Sequence, residues 1–323
     1  MQKRKAAILC NNLVKLPLVY SPETMVQIRE LVDLREEVVT DANIADTDLS
    51  DVEMVFSTWG MLKLTEEQIR AKLPNLKIIF YGAGATEGFV RPFLHCGVEC
   101  SSAWQANAIP VAEFTMAQIL LGLKGYHQIT RKLHEQGRAA WSNPEKGPGA
   151  FGARVGLIGD GAIARRVQNM LAACRVEVIL VPTIPEQRTV SLEEVFRTCQ
   201  VVSNHLPNRD DNVNTITQAL LESMPHLGVF LNTGRGRQLD HDGLVAALRN
   251  RPDLTSILDV TFPEPLPEGH PLYSLPNSFL TSHIAGSLND ECKRMGEYML
   301  DELKRYLANQ PMQYLIIESL LIP

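Results

Sequence analysis

The chain has 323 residues, a length that favours two domains over one. Its composition, 45% apolar and 21% charged, is that of an ordinary soluble globular protein, which excludes a largely disordered, collagenous or membrane-embedded chain. The 31 lysines and arginines and the 37 acidic residues give a formal net charge of -6, and no basic block stands out that would neutralise a phosphate backbone. We therefore expect no nucleic-acid partner.

The cysteines and the apolar runs of the sequence indicate in which cellular compartment the protein is expected. Six cysteines are spread without a Cys-x-x-Cys pair, so we expect buried free thiols and no metal site. The basic N-terminus is followed by an apolar run, 6–10, that gives way to Asn11 and is too short for the core of a signal peptide. The longest apolar stretch, 114–123, falls short of the roughly 20 residues that cross a bilayer. A cytoplasmic location without a membrane partner is the resulting prediction.

Short β-prone runs alternate with helical patterns in the first part of the chain, as in an α/β domain. The helical patterns cover residues 23–34 and 65–73, the second of which opens on Thr65 with two glutamates in its first turn. The strands are predicted at residues 6–10, 37–40, 54–58, 77–81 and 98–101. Together these elements predict a small parallel sheet.

A long helix is predicted next, because residues 107–135 carry apolar side chains three and four positions apart. It is interrupted at most near Gly122 and Gly125, and helices of this length often connect two domains. A loop rich in Gly, Pro and Asn follows at residues 136–152.

A second α/β series follows this loop. Thr217 and Asp240 are predicted N-caps of two of its helices, and Ser287 with Asp290 is predicted to open the last helix, which ends near residue 308. The apolar tail, 314–322, is either an added strand or a subunit contact. The strands of this series are predicted at residues 154–158, 176–181, 201–204, 228–232, 256–260 and 279–282.

A strand that leads into a glycine-rich turn is the sharpest local signal. The predicted strand at 154–158 runs into Gly159-x-Gly161-x-x-Ala164, the order of strand, turn and helix in a dinucleotide-binding fingerprint. Gly159 permits the tight turn, Gly161 lets a pyrophosphate approach the backbone, and Ala164 lets the helix pack near the sheet. Ala162 and Ile163 open that helix, whose N–H groups and dipole favour phosphates. The turn predicts a dinucleotide site, with a purely structural glycine turn as the alternative.

The far end of this fingerprint lacks the expected acid. The next strand should finish with Asp or Glu about 20 residues after the glycines to hold the ribose hydroxyls. This strand instead ends at Val181-Pro182-Thr183. Without that carboxylate nothing repels a 2′-phosphate, and Arg188 or Arg165 lies within reach of such a group, although Arg188 equally fits a solvated loop charge. The sequence therefore allows NAD or NADP as the cofactor.

Charged residues follow three later strands, at the edge of the sheet where the glycine turn also lies. Arg235 follows the strand 228–232, Asp259 and Glu264 follow Leu258, and His283 follows the strand 279–282. Ligands of open α/β sheets bind at this edge. Each residue alone has an ordinary structural explanation, since most arginines are surface charges, but their placement at successive strand ends favours a site.

These residues suit a substrate with an oxygen next to a carboxylate. The planar fork of Arg235 binds an anion, and His283 passes a proton to or from the substrate oxygen. A Glu264 carboxylate bonded to the other ring nitrogen favours the imidazolium and fixes the tautomer. Asp259 is better placed to orient the cofactor's carboxamide than for acid–base work.

The motifs that carry a family resemblance occur in order over roughly residues 50–310: Gly159-x-Gly161-x-x-Ala164, Asn232-Thr233-Gly234-Arg235-Gly236, Leu258-Asp259-Val260 with Glu264-Pro265, and Ser282-His283-Ile284-Ala285-Gly286. They closely resemble the D-isomer-specific 2-hydroxyacid dehydrogenases, including glyoxylate/hydroxypyruvate reductases and phosphoglycerate dehydrogenases. Tyr81-Gly82-Ala83-Gly84 is similar to the family's substrate-carboxylate loop, and the segment 107–113 is similar to its helix opening.

The resemblance implies a role for each of these residues. Arg235 orients the substrate, Glu264 partners the acid–base histidine, and His283 is that histidine. It further implies two sets of binding residues: for the substrate Gly82, Ala83 and Gly84 with Arg235, and for the cofactor Gly159, Gly161, Ala162, Ile163, Thr233, Gly234 and Asp259. Pro182 departs from the pattern, as does the short segment after it, and Ser282 stands where a proline often precedes the histidine.

The fold implied by the resemblance is α/β with two Rossmann-like domains. One is a doubly wound, parallel-sheet, dinucleotide-binding domain at residues 104–286. The other is a smaller, flavodoxin-like substrate domain at residues 1–103 and 287–323. The family's active site lies in the cleft, and a homodimer through the cofactor domain is common.

We expect an oxidoreductase that transfers a hydride between a nicotinamide cofactor and a small D-2-hydroxyacid or 2-oxoacid. The alternative is a non-catalytic, NAD(H)-sensing regulatory protein on the same fold, like the transcriptional corepressors that share it. The intact set of Arg235, Glu264 and His283 favours the enzyme, whereas the altered adenosine region keeps the sensor open. Glycerate, lactate, phosphoglycerate, glyoxylate and hydroxypyruvate all present the same carboxylate and adjacent oxygen, so the acid itself stays open.

Overall fold

The protein forms two compact α/β units in a computed structural model, which describes residues 3–142 and 146–317. The first unit holds the chain up to Ala108 and from Ser287 onward, and the second holds Ile109–Gly286. The first break lies after Ala108, inside a helix, rather than after residue 103 as the sequence predicts.

The first unit is built on a five-stranded parallel sheet. Its strands are β1 (Lys5–Leu9), β2 (Asp33–Val39), β3 (Met54–Ser57), β4 (Ile78–Tyr81) and β5 (Glu99–Ser102), in the order β2-β1-β3-β4-β5. Successive side chains enter opposite apolar layers: Ala6 and Ile8 of β1 pack into one, and Ala7 and Leu9 into the other. Because both faces are covered, the inner strands β3 and β4 are buried along their whole length.

The helices of this unit before residue 100 are α1 (Leu16–Val19), α2 (Pro22–Leu31), α3 (Glu66–Lys72) and α4 (Val90–His95). The predicted N-cap Thr65 is confirmed, since its hydroxyl accepts a hydrogen bond from the Gln68 N–H. The helix predicted at 23–34 is wrong at its end. Val32 is already extended, and the Asp33 N–H donates to the Arg4 carbonyl, which joins β2 to β1.

Two helices replace the long helix predicted at 107–135, namely α5 (Trp104–Leu123) and α6 (Tyr126–Gln136). The break falls at Gly125, which has a left-handed φ of +69 and is one of the two glycines expected to interrupt the helix. A 3-10 helix, Gly137–Ser142, occupies the start of the predicted loop, and residues 143–145 lie outside the described part of the chain.

The second unit carries a six-stranded parallel sheet. Its strands are β6 (Arg154–Ile158), β7 (Glu177–Val181), β8 (Val201–Asn204), β9 (Val229–Asn232), β10 (Thr255–Leu258) and β11 (Ser278–Leu280), in the order β11-β10-β9-β8-β6-β7. Each of the six predicted strands is present. The strand order reverses at β6, and such a switch point is where ligands bind in doubly wound sheets.

Helices connect these strands: α7 (Ala162–Ala172), α8 (Leu192–Thr198), α9 (Gln218–Glu222) and α10 (His241–Asn250). Both predicted N-caps are confirmed. The Thr217 hydroxyl accepts from the Leu220 N–H, and the Asp240 carboxylate accepts from the Gly243 N–H at 2.9 Å.

The last helix, α11 (Lys293–Leu307), returns the chain to the first unit. Its predicted opening on Ser287 is wrong, because a 3-10 turn, Asn289–Cys292, comes first. The Ser287 N–H donates to Asn107 Oδ1 at 2.9 Å, and its buried hydroxyl has no partner among residues 3–142 and 146–317.

A buried carboxylate ties the C-terminal segment to this helix. Glu302 of α11 is fully buried and accepts hydrogen bonds from the Ser101 hydroxyl and from the N–H groups of Gln313 and Tyr314. Leu315 then forms an antiparallel bridge with Ser101 of β5. The start of the apolar tail therefore adds to the sheet edge, while residues 318–322 lie outside the described residues.

The free cysteines and the most apolar helix fit a packed interior. All six cysteines are free: Cys10, Cys100, Cys199 and Cys292 are buried, and Cys96 and Cys174 are partly exposed. Helix α5 is long and apolar enough to cross a membrane by length and composition, with half of its most apolar window buried inside the protein. Core helices of soluble proteins have the same character, so this is weak evidence for a membrane span.

Candidate active site

The turn between β6 and α7 has the geometry of a phosphate-binding loop. Gly159 has a φ of +104, and a Cβ there would lie 2.7 Å from the His205 carbonyl oxygen, so only glycine fits. Gly161 is the N-cap of α7, and no side chain caps this helix. The first N–H groups of the helix, including those of Ala162 and Ile163, therefore remain available to an anion.

Space for that anion is open in front of Gly161. A Cβ built on this residue meets no protein atom within 4 Å. The dinucleotide site predicted from the glycines thus fits the structure: an uncapped helix N-terminus faces a space that a larger side chain would fill.

Gly161→Val should weaken the binding of NADH and NADPH at least about tenfold, because the branched side chain occupies the path of the pyrophosphate. The free energy of unfolding should fall by only about 1 kcal/mol, since valine is a poorer N-cap than glycine but touches no protein atom. Cofactor fluorescence titration and thermal unfolding measure the two effects. Parental affinity in a folded Gly161→Val variant would mean that the turn is purely structural.

A carboxylate lies beside the end of β7, but it comes from the glycine turn. Asp160 Oδ1 accepts hydrogen bonds from the N–H and the hydroxyl of Thr183, both at 3.1 Å. Burial of Asp160 opposes its ionisation, but these bonds and the Arg165 guanidinium outweigh burial and hold the pKa of the carboxyl below its usual value. Sequence reasoning missed this contact because it looked for an acid at the strand end alone.

Two arginines, Arg165 and Arg188, lie next to Asp160 and the end of β7. Arg165 donates to the Asp160 carbonyl at 2.8 Å, and Arg188 donates through Nε to the Pro182 carbonyl at 3.1 Å. Arg188 also donates to the Thr183 carbonyl at 3.4 Å. Arg188 is therefore held against the strand end where the ribose-binding acid was expected, rather than being a freely solvated loop charge.

The loop after β8 places an unusual histidine next to the glycine turn. His205 Nε2 lies 2.9 Å from the Ser203 hydroxyl, and Nδ1 is buried without a partner in the described part of the chain. Burial lowers the pKa of His205 to about 4, so the ring is neutral near pH 7. A neutral ring with an unused nitrogen beside Gly159 suits a polar group of a bound dinucleotide.

Buried amides, which sequence reasoning missed, hold the backbone around Arg235. Asn204 Nδ2 donates to Asn232 Oδ1 at 3.0 Å and to Gln238 Oε1 at 3.1 Å. Asn232 Nδ2 donates to the Arg235 carbonyl, and the Arg235 N–H donates to Gln238 Oε1. The available signal was an asparagine at the last position of two buried strands, β8 and β9.

The Arg235 guanidinium is half-buried, and only part of it is used. Its Nη1 donates to the Gly234 carbonyl at 2.8 Å, and no other acceptor binds it among the residues with described positions. The Gly234 N–H is held by Asn232 Oδ1, and the hydroxyl of the buried Thr233 lies 3.2 Å from that of Thr115. The remaining guanidinium N–H groups are free to bind an anion.

Asp259 holds the loop that carries the histidine. It is 2% exposed, and its Oδ1 accepts hydrogen bonds from the Thr281 hydroxyl and the Ile284 N–H, both at 2.7 Å. Its Oδ2 accepts from the Ala285 N–H at 3.0 Å. The sequence assigned Asp259 to the cofactor carboxamide, whereas in the structure its carboxylate is engaged by this loop, so we treat it as a positioning residue.

His283 and Glu264 meet as the sequence suggests. His283 Nδ1 lies 2.7 Å from Glu264 Oε1, and the two side chains are 53% and 41% exposed. The backbone of His283 has a φ of +58, a left-handed conformation that costs most residues about 1 kcal/mol or more and often occurs at functional sites. Because Nδ1 is bound to Glu264, Nε2 is the nitrogen left to exchange a proton.

In the first unit, hydroxyl groups anchor the predicted substrate loop. Ser102 Oγ donates to the Ala83 and Gly84 carbonyls, and Thr58 Oγ1 donates to the Gly82 carbonyl at 2.8 Å. The N–H groups of Gly82 and Ala83 already donate to backbone carbonyls. Of the three predicted residues, only Gly84 keeps an N–H without a partner in the described ranges.

Comparison with known proteins identifies the family of the chain. A family model described as "D-isomer specific 2-hydroxyacid dehydrogenase, NAD binding domain" matches residues 116–285, just over half of the chain. The chain belongs to this family. Its second unit is thus a NAD-binding domain, and the protein is an oxidoreductase. The family model confirms the predicted family and the nicotinamide type of cofactor, and the solved structures confirm the predicted fold class.

Two relatives of known name are about a quarter identical to the chain over the aligned residues. It is 27% identical over 261 residues to a glyoxylate reductase of Thermofilum pendens, covering 74% of this chain and 75% of that protein. It is 25% identical over 257 residues to a D-3-phosphoglycerate dehydrogenase of Haemophilus influenzae, covering 76% of this chain and 62% of that protein.

Solved structures share the fold along almost the whole chain. A glyoxylate reductase from Paecilomyes thermophila superposes with a TM-score of 0.75 at 20% identity, covering 99% of this chain and 100% of that one. A NAD-dependent formate dehydrogenase from Staphylococcus aureus, in complex with NAD, gives a TM-score of 0.71 at 22% identity, covering 97% and 98%. At these identities the likeness concerns the fold alone.

Proposed function

We propose that this family member is a dehydrogenase that interconverts a small D-2-hydroxyacid and its 2-oxoacid with NAD(H) or NADP(H). The observation that carries the proposal is the pair of His283 and Glu264, joined at 2.7 Å. The neighbouring strands β9, β10 and β11 place this pair and Arg235 at one edge of the sheet. An anion-binding fork and an acid–base histidine are what a 2-oxoacid requires.

Each residue has a separate task in the reaction. Arg235 binds the substrate carboxylate through the N–H groups that Gly234 leaves free. Glu264 accepts a hydrogen bond from the Nδ1–H of His283 and fixes the ring, so Nε2 gives a proton to the substrate oxygen in reduction and takes one in oxidation. The nicotinamide, when bound, supplies or accepts the hydride. In the first unit, the loop of Gly82, Ala83 and Gly84 stays a predicted substrate loop.

A panel of 2-oxoacids tests the activity. Purified protein is mixed with NADH or NADPH and with glyoxylate, hydroxypyruvate, pyruvate, 2-oxobutyrate or 2-oxoglutarate, and the loss of absorbance of the reduced cofactor is followed. We expect turnover with at least one acid, and formation of the D-isomer wherever the product is chiral; glycolate, the product from glyoxylate, is not. Binding of the cofactor without turnover of any acid would favour the sensor, which neither named relative supports.

Discrimination between the two cofactors should be weak, because Pro182 offers no carboxylate to bind the ribose hydroxyls or to repel a 2′-phosphate, and the nearby carboxylate of Asp160 is already bound by Thr183 and Arg165. Pro182→Asp should raise the preference for NADH by about 1.5 to 3 kcal/mol, at least tenfold, the value of a charge-assisted hydrogen bond. The ratio of kcat/KM for the two cofactors, taken at one salt concentration, measures this preference.

Pro182→Asn is the matched control, since it has nearly the same shape without the charge and should move the ratio little. Arg188, which donates to the carbonyl of residue 182, would face the new aspartate. A strong parental preference for NADH that Pro182→Asp leaves unchanged would show that another group holds the ribose.

The compartment and the oligomeric state of the enzyme stay predictions from the sequence and from the family resemblance. We propose a cytoplasmic homodimer that takes small-molecule substrates and has neither a nucleic-acid nor a membrane partner. Size-exclusion chromatography with light scattering tests the dimer directly.

A further inference from the structure

The segment that carries Glu264 has no regular secondary structure, and most of it is exposed. It must nevertheless hold Glu264 Oε1 at 2.7 Å from His283 Nδ1. A misplacement of about 1 Å at such a pair costs much of its effect. Contacts that fix this segment are therefore part of the catalytic arrangement.

Three contacts fix its N-terminal side, and all come from residues 236–241. A Cβ on Gly236 would lie 2.1 Å from the Thr261 carbonyl, so the two backbones touch. The Arg237 guanidinium lies 5.9 Å from the centre of the Phe262 ring. The Phe262 N–H donates to His241 Nε2 at 3.2 Å, which is a directional bond two residues before Glu264.

The His241 ring is itself well fixed. It is the first residue of α10, directly after the N-cap Asp240, and its Nδ1 lies 3.0 Å from the Leu239 carbonyl. A carbonyl needs a donor and an N–H needs an acceptor, so the ring carries its proton on Nδ1 and accepts with Nε2. The contact with Phe262 thus requires the neutral ring.

We infer that His241 is a positioning residue for the pair of Glu264 and His283, acting through its hydrogen bond with the Phe262 N–H. This inference rests on the proposed function. Protonation of His241 would turn Nε2 from an acceptor into a donor facing another donor, and the bond would be lost.

The charges around His241 set the direction of this pH dependence. Burial lowers the pKa of His241, and the neighbouring His270 lowers it further. The hydrogen bond to the Leu239 carbonyl and the carboxylates of Asp240 and Asp242 raise it. The net change in the pKa is downward. Arg237, on the segment packed against Phe262, adds positive charge nearby. The contact is therefore complete at and above the ordinary histidine pKa of about 6.5, and it is lost as the pH falls through the lowered pKa of His241.

Two substitutions of His241 distinguish the effect of losing its hydrogen bond with the Phe262 N–H from the effect of altered packing. His241→Gln keeps an acceptor at the place of Nε2 but does not titrate, and His241→Leu removes the acceptor. We expect His241→Leu to lower kcat on the order of tenfold with KM for the 2-oxoacid changed less than about threefold. We expect His241→Gln to keep the parental kcat near pH 7.5 and to lose less activity than the parent at pH 5.5.

The control is the exposed His134 of α6, changed to Leu and to Gln, for which kcat and the pH profile should stay parental. Hydrogen–deuterium exchange of the segment 261–266 gives a readout that needs no turnover. Exchange there should be faster in His241→Leu and parental in His241→Gln, with tryptophan fluorescence showing that each variant is folded at each pH.

Parental kcat and exchange in His241→Leu would overturn the inference. Equal losses of kcat in the Leu and Gln variants would also overturn it, because they would point to packing rather than to the bond. If the parent turns over no 2-oxoacid, the proposed function fails, and the exchange experiment still decides whether His241 fixes the segment.

Discussion

His283→Asn should slow the reduction of a saturating 2-oxoacid by about 100- to 10,000-fold, the range that a positioned general acid contributes. The amide cannot give up a proton to the substrate oxygen. Asparagine tolerates the left-handed backbone of this position, φ +58, better than most residues, so the variant should fold. Steady-state kinetics with the preferred acid and cofactor measure the loss.

The same variant should bind NADH and NADPH as the parent does, which fluorescence titration checks. Glu264→Gln is the graded control: it keeps the histidine and removes only the charge of its partner, so its loss of turnover should be smaller, on the order of tenfold. Turnover by His283→Asn within tenfold of the parent would exclude the histidine as the acid–base group.

The strands of the second unit were predictable because both faces of a parallel sheet are covered. Strands such as β8 and β9 are buried at every position and therefore begin with apolar runs, Val-Val in β8 and Val-Phe-Leu in β9. The end of α2 was not predictable from local pattern, since the pairing of Asp33 with Lys5 decides where the helix stops. Helices α1 and α4 are too short for periodicity to indicate them.

At the candidate site, residues whose side chain is dictated by their role were predictable from the sequence. The groups that hold those residues in place were not. Gly159 must be glycine, and the structure gives the reason in its φ of +104 and the nearby His205 carbonyl. The partners of Asp259, by contrast, are two backbone N–H groups and a hydroxyl more than twenty residues away in the chain. Backbone groups carry no sequence signal, so such contacts emerge only from the fold.

Hydrogen bonds to the backbone of Arg235 explain why this residue can be substituted without unfolding the protein. The carbonyl and N–H of Arg235 are held by the buried Asn232 and Gln238, whatever side chain residue 235 carries. A substitution that keeps the positive charge therefore changes the shape of the cation alone. The thermal unfolding midpoint of Arg235→Lys should stay close to that of the parent.

Arg235→Lys should raise KM for the 2-oxoacid and lower kcat together, reducing kcat/KM by roughly 10- to 150-fold. An ammonium cannot reproduce the planar fork that binds both carboxylate oxygens, and one charge-assisted hydrogen bond is worth about 1.5 to 3 kcal/mol. Dinucleotide binding should survive, because the glycine turn and the helix N-terminus are untouched.

Arg154→Lys is the matched control. Arg154 begins β6 at the opposite edge of the same sheet and pairs with Glu177 at 3.1 Å, so its replacement should leave the steady-state kinetics parental. If Arg235→Lys retains parental kcat/KM while folding normally, the substrate carboxylate is bound elsewhere and the role proposed for Arg235 is wrong.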